Sequence, residues 1–294
     1  MLVRANAKIN LTLDITGVLS TGYHTVEMIM QSVTLYDDIK LDFSNNEKIN
    51  LRCSKPYLPI NNRNVAYKAA EAFFDYTKIK NKGIYIKIYK QIPVSAGLAG
   101  GSADAAAVLT GLNEMFKTKL TMEELEKIAV PVGADIPFCL NGGTILAGGI
   151  GEQLTRLDDM PDCYIVLVKP PINVSTQTAY QKYNESLLAN RPDTRAMIAA
   201  LQKKDVYLVA RNMCNVFEEL VSLALVEKAK RKVMQYGALN AQMSGSGPTV
   251  IGIFDDKIRA HKCAIELRKN YREVHICAPC KNSVNILDTN LTVL

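Results

Sequence analysis

The sequence predicts an α+β fold in two domains. Three observations carry this. Strand-like alternation and helix-like periodicity are mixed along the whole chain. The glycines do not punctuate a regular strand–helix–strand series. The 294 residues suffice for two medium domains at roughly 100–200 residues each. The expected division falls near residue 155, just before a short buried strand, and gives domains 1–155 and 156–294.

Residues 7–16, AKINLTLDIT, alternate. Ile9, Leu11, Leu13 and Ile15 face one way, and Lys8, Asn10, Thr12 and Asp14 the other, which predicts a strand with one polar face. Residues 33–43 predict a second strand. Residues 64–76 predict a helix capped by Asn64, with Val65, Ala69, Ala72, Phe73 and Tyr76 as its buried stripe. A strand at 84–90 turns Ile84, Ile86 and Ile88 inward and leaves Tyr85, Lys87 and Tyr89 on a solvated face. A Gly-rich turn then runs into an Ala-rich helix across 93–116. Thr121 and Glu124 form a capping box that opens the next helix, and Pro131 ends it. Residues 141–151 hold five glycines and read as turns around a strand at 144–147.

The second half opens with the buried strand YIVLV at 164–168, stopped by Pro170-Pro171. Helices are expected near 176–188, 194–201, 205–219 and 223–236. A loop, MSGSGPT at 243–249, precedes a strand at 250–254, a helix at 256–269 and a strand at 273–277.

Composition excludes several classes. With 48% hydrophobic residues and ordinary charge, the chain is not disordered. Apolar runs such as Tyr164–Val168 are far shorter than the roughly 20 residues a bilayer demands. Arg4, Asn6, Lys8 and Asn10 deny the N-terminus a signal-peptide core, so a cytoplasmic chain without membrane contact is expected. The seven cysteines are scattered, and Cys277-Ala-Pro-Cys280 has no second CxxC. They read as reduced thiols rather than zinc ligands. The net charge of +6 is mild and no basic face with stacking aromatics is visible, so no nucleic-acid partner is expected.

Residues 93–104 carry the strongest local signal. Gly97, Gly100 and Gly101 let a ligand approach the main chain, and the helix that follows offers unpaired first-turn N–H groups. Together they make an anion site suited to phosphate. The spacing fits neither a Walker A loop nor a Rossmann fingerprint, because Ser102-Ala103 follows the last glycine and the order is Gly97-Leu-Ala-Gly100-Gly101. Asp135, between Gly133 and Pro137 in apolar company, needs a cation as partner if it is to act as a base. Otherwise it caps a turn. Lys8 by itself reads as a surface lysine. Ser244–Thr249 reads as a flexible turn whose N–H groups could hold a second anion.

Taken together, AKINLTLDITG, GYHTVEMIMQSV, IPVSAGLAGGSADAAA, VGADIPFCL and MSGSGPTVIGIF resemble the GHMP kinase superfamily from Ala7 to Phe254, in that family's order. AKINL, GYH and GADIPF are similar to the branch that acts on a cytidyl-diphosphate methylerythritol in isoprenoid precursor synthesis. They point away from the mevalonate, homoserine and galactose branches. The resemblance implies a two-domain GHMP kinase fold, with an N-terminal domain like ribosomal protein S5 domain 2, a ferredoxin-like C-terminal domain and the active site between them. It implies an ATP- and Mg²⁺-dependent kinase, monomeric or homodimeric, whose partner is a small-molecule substrate.

By the same resemblance, Asp135 is the catalytic base and Lys8 its partner. The nucleotide loop comprises Pro93, Val94, Ser95, Ala96, Gly97, Leu98, Ala99, Gly100, Gly101, Ser102 and Ala103, with Ser102 as a magnesium ligand. Asn10, Tyr23, His24, Thr176 and Tyr180 would bind the cytidyl substrate. The family's second serine is Ala103 here, and its pocket phenylalanine is Tyr180. Two alternatives remain at this stage: another GHMP small-alcohol kinase, and a non-catalytic nucleotide-binding relative.

Overall fold

A long antiparallel hairpin is the spine of the first sheet. β1 runs Leu2–Val18 and pairs with β2, His24–Phe43, through a register interrupted by irregularities between Asn6 and Lys8, Asn10 and Thr12, and Ile15 and Gly17. The computed structural model describes residues 1–183 and 188–287. β3 (Ile49–Cys53) and β4 (Ile84–Tyr89) are parallel to one another beyond β2, while β5 (Thr144–Gly148) and β6 (Gln153–Arg156) extend another stretch of β2. The second sheet is antiparallel. It contains β7 (Tyr164–Lys169), β9 (Asn240–Met243), β10 (Val250–Phe254) and β11 (Glu273–Cys277), in the order β11-β7-β10-β9. The late strand β12 (Val284–Leu287) returns to the first sheet beside β1.

Helices follow their local signals. α1 (Val65–Thr77) is capped by Asn64, whose side chain accepts from Ala66 N, and α3 (Met122–Ala129) opens with the Thr121–Glu124 capping box. The buried stripe of α1 differs from expectation: Ala66, Ala69, Ala70 and Phe73 are inward and Tyr76 is exposed. Alanine positions let α1 lie close to α2 (Gly100–Met115), so the seam follows the small residues instead of the aromatic.

α2 carries its own packing device. A methyl added at Gly111 would collide with Leu41 Cδ1 and stand 3.2 Å from Val3 Cγ2 on the sheet below. Gly111→Ala is therefore expected to destabilise by about 1–3 kcal/mol despite the better helix propensity of alanine, read as a lowered urea midpoint.

Other differences are tertiary in origin. The helix expected near 176–188 is α5 (Thr176–Gln181), and residues 184–187 of that range lie outside the described residues. α6 (Thr194–Gln202), α9 (Ala224–Gln235) and α10 (Lys257–Arg268) fall where expected. The single helix expected at 205–219 is two, α7 (Val206–Arg211) and α8 (Phe217–Val221). Between them β8, Cys214–Asn215, pairs in parallel with Thr12–Leu13 of β1. Lys8, Asn10, Thr12 and Asp14 are buried where solvent was expected: Lys8 N donates to Leu98 O of the glycine-rich loop, Gln242 Nε2 donates to Asn10 O and Leu11 O, and Arg191 Nη1 donates to the Asp14 carboxylate. All seven cysteines are free, and no helix among the described residues is long and apolar enough to cross a membrane.

Candidate active site

Lys8, on the buried polar face of β1, lines a cavity of about 950 Å³, a size suited to small molecules. One wall is the glycine-rich loop. Ser95, Gly97 and Ala99 adopt positive φ of 50°, 73° and 54°, which for Ser95 and Ala99 is a sparsely populated conformation. Ala99 occupies the N-cap of α2 without a side-chain cap, so the first-turn amides keep their donors free. A methyl at Gly101 would meet only Val65 Cγ2, at 3.8 Å, so the main chain is open to a ligand there. Of the loop residues named above, Leu98 and Ala103 are buried off the cavity wall and the others line it. The missing second hydroxyl thus falls on a residue that does not reach the wall.

The second glycine loop packs onto the first. Ser244 Oγ donates to Gly97 O at 3.0 Å, and a Cβ at Gly97 would collide with Ser244 O. Asn215 Nδ2 donates to both Met243 O and Gly245 O, each at 2.8 Å, fixing the second loop's entry. Gly245 and Ser246 line the cavity.

Lys8 and Asp135 meet in this cavity. Lys8 Nζ is 3.8 Å from Asp135 Oδ2 and donates to Asn10 Oδ1 at 2.7 Å, while Lys8 N donates to Leu98 O in the loop at 3.2 Å. Asp135 stands at the N-cap of α4 (Ile136–Asn141), a buried helix that the sequence reading missed. Its side chain makes no capping bond, which leaves the carboxylate to the cleft and removes the turn-capping alternative. The register shifts bracketing Lys8 and Asn10 re-aim these side chains relative to a regular ladder.

The profile described as GHMP kinases N terminal domain matches residues 64–143, and that described as GHMP kinases C terminal matches residues 197–273. Curated relatives named 4-diphosphocytidyl-2-C-methyl-D-erythritol kinase are similar over nearly their whole length. That of Clostridium botulinum (strain Alaska E43 / Type E3) is 44% identical over 93% of this chain and 98% of its own. That of Lachnospira eligens is 45% identical over 91% and 93%. The chain belongs to the 4-diphosphocytidyl-2-C-methyl-D-erythritol kinase family. It is an ATP-dependent GHMP kinase acting on a small molecule. A crystal structure of 4-(cytidine 5'-diphospho)-2C-methyl-D-erythritol kinase superposes with a TM-score of 0.82 at 26% identity, covering 95% of this chain and 99% of that one. Homoserine kinase from Cytophaga hutchinsonii, with a TM-score of 0.76 at 19% identity over 98% and 97% of the two chains, shares the fold.

In this GHMP kinase the cavity has an aromatic end. The His24 and Tyr180 rings lie 5.0 Å apart, and Tyr180 stands edge-on to Phe217 at 4.9 Å. Burial, reinforced by Asp135, pushes the Tyr180 hydroxyl up to about 12. Thr176 Oγ1 lies 3.0 Å from Ser246 Oγ, tying α5 to the second glycine loop. Tyr23 lines the cavity but is 64% exposed. Asn10 does not line the wall: it is fully buried, with Oδ1 on Lys8 and Nδ2 3.4 Å from Met28 Sδ.

Several wall residues were missed from sequence. Leu58, Pro59 and Arg63 line the cavity. Their segment has neither periodicity nor a motif. Lys90 was missed although a signal existed, since position 90 continues the inward series Ile84, Ile86, Ile88. Asp37 likewise interrupts the inward face Val33, Leu35, Ile39, Leu41 of β2. A charge on each of two apolar stripes that lie side by side on one face of the sheet predicts a buried pair.

Proposed function

We propose that this kinase transfers the γ-phosphoryl group of ATP to the 2-hydroxyl of 4-diphosphocytidyl-2-C-methyl-D-erythritol. The observation that carries the reading is the Lys8–Asp135 pair, 3.8 Å apart, facing the same cavity as the uncapped start of α2 and the His24–Tyr180 aromatic end. The relatives' names supply the substrate.

The acceptor is a tertiary alcohol, because C2 bears the methyl group. Such a nucleophile is crowded, so in-line positioning and charge stabilisation dominate its phosphorylation. Asp135 accepts the hydroxyl proton as oxygen attacks the γ-phosphorus, whose bond to the β–γ bridging oxygen breaks to release ADP. Lys8 stabilises the negative charge that develops, held in place by Asn10. The first-turn amides of α2 hold the phosphates. Stacking on Tyr23 and a hydrogen bond from His24 hold the cytosine.

Magnesium fits this donor set as an ion carried by the nucleotide. No cluster of three or more metal-ligating side chains exists among the described residues, and Asp104, on the same turn, is tied to Lys90. Ser102 on the cavity wall is the protein oxygen that would hold the ion, beside phosphate and water. When bound, the ion draws off charge from the phosphate oxygens.

The division of the chain near residue 155, into 1–155 and 156–294, is supported by sheet membership: β1 to β6 build one sheet, and β7, β9, β10 and β11 the other. β8 and β12 cross back. Charged, phosphorylated substrates suit a cytoplasmic enzyme.

Phosphorylation of the cytidyl alcohol by ATP with Mg²⁺, followed by ³¹P NMR, tests the reading against non-cytidyl alcohols in the same assay. A preference for mevalonate or homoserine would redirect it to a different GHMP activity. Tyr23→Ala should weaken the cytidyl substrate by roughly tenfold, the scale of one base–aromatic stack, with ATP affinity unchanged. Equal loss for both ligands would remove the stacking role.

A further inference from the structure

Beside the glycine-rich loop, with Lys90 and Asp104 reaching the cavity wall, lies a buried ion cluster to which the proposed reaction assigns no step. Lys90 Nζ is 2.5 Å from Asp37 Oδ2 and 2.8 Å from Asp104 Oδ2, and all three side chains are at most 5% exposed. The remaining bonds of the cluster go to the loop's entry. Asp37 Oδ1 accepts the main-chain N–H of Gln91 at 2.5 Å and of Ile92 at 2.9 Å, immediately before Pro93. Asp104 belongs to α2, two residues past Ser102, at the loop's exit. One ammonium therefore joins the two ends of the segment that carries Ser95, Gly97 and Ala99 in positive φ. The ammonium also sits against the turn itself, since a Cβ at Gly100 would stand 3.2 Å from Lys90 Nζ.

Stability is a poor explanation for this cluster. Buried ion groups replaced by well-packed apolar residues are often neutral or stabilising. Here two carboxylates share one ammonium, and Asp104 Oδ1 is buried with no hydrogen-bond partner. Burial, with Asp37 adding to it against the opposing pull of Lys90, moves the Asp104 carboxyl up to about 8. The arrangement is costly, yet it is geometrically specific to the loop's two ends.

We propose that Lys90 and Asp104, anchored by Asp37, are positioning residues that set the span of the glycine-rich loop and thereby its affinity for ATP. They act through the loop and not on the transferred phosphoryl group. The proposal rests on the reading of this loop as the ATP site.

The test measures ATP–Mg²⁺ affinity by calorimetry and KM for both substrates. Asp104→Ala cuts the exit tie but leaves Lys90 and Asp37 as a balanced pair, so no uncompensated charge is buried. It should weaken ATP by roughly tenfold while the alcohol KM stays within about twofold, on the scale of a small misplacement of a binding element. Asp104→Asn keeps an acceptor for Lys90 in the same place and should recover most of that loss. Should Asp104→Ala fail to melt cooperatively, the triple variant Asp37→Asn, Lys90→Met, Asp104→Asn removes the charges at similar volume and carries the same expectation. Wild-type ATP affinity in the cut variant, equal loss for both substrates, or identical behaviour of Ala and Asn would overturn the proposal. Gly101→Val, which fills the open wall, separates the two readings. If it loses ATP while the cut variant does not, the positioning role fails alone. If neither loses ATP, the loop is not the nucleotide site.

Discussion

Asp135→Asn is expected to lower kcat by about 10²–10⁴-fold, the range supplied by a positioned general base, with both substrates still bound. The change is nearly isosteric and removes the capacity to take a proton together with the negative charge opposite Lys8. The fold should tolerate it: Asp135 makes no capping bond to α4, its side chain is 34% exposed, and Lys8 keeps Asn10 as a partner. Steady-state kinetics read the loss of kcat, and calorimetry with each substrate reads retained binding. Near-normal turnover would strip Asp135 of the base role.

Lys8→Ala should lower kcat more than it raises KM, by about 10²–10³-fold, as for removal of one donor to developing charge. The reason is its position. The ammonium lies 3.8 Å from the Asp135 carboxylate, and its own main chain bonds the loop at Leu98. The variant also leaves Asn10 Oδ1 buried without its donor, at a cost of about 1–3 kcal/mol. Kinetics are therefore compared well below the melting temperature of the variant. An effect confined to KM would make Lys8 a binding residue.

The elements with strong local signals were legible in the sequence. The Asn64 and Thr121 caps, the alternation of β1 and β4 and the apolar runs of β7 and β10 each encode their geometry within a few residues. The short strands β3, β6, β8, β9 and β12 were not, because two to five residues of backbone pairing depend on a partner far along the chain. β8 is the extreme case, two residues held by a strand some 200 positions earlier.

The site divides in the same way. The loop could be read from its glycines, because open backbone conformations leave a compositional mark. The Lys8–Asp135 pair could be named only by resemblance. Nothing local distinguishes Lys8 from the surface lysine that strand alternation predicts. Long-range packing buries it, with Leu98 O of the glycine-rich loop on its main-chain N–H and Asn10 Oδ1 on its ammonium, and the short helix α4 brings Asp135 within 3.8 Å. What the sequence by itself determined is the class of fold, the caps and the open backbone of the glycine-rich turn. The meeting of charges in the cleft was decided by tertiary structure, since the strength of an ion pair depends on distance and dielectric, and neither is set until α4 packs on β1.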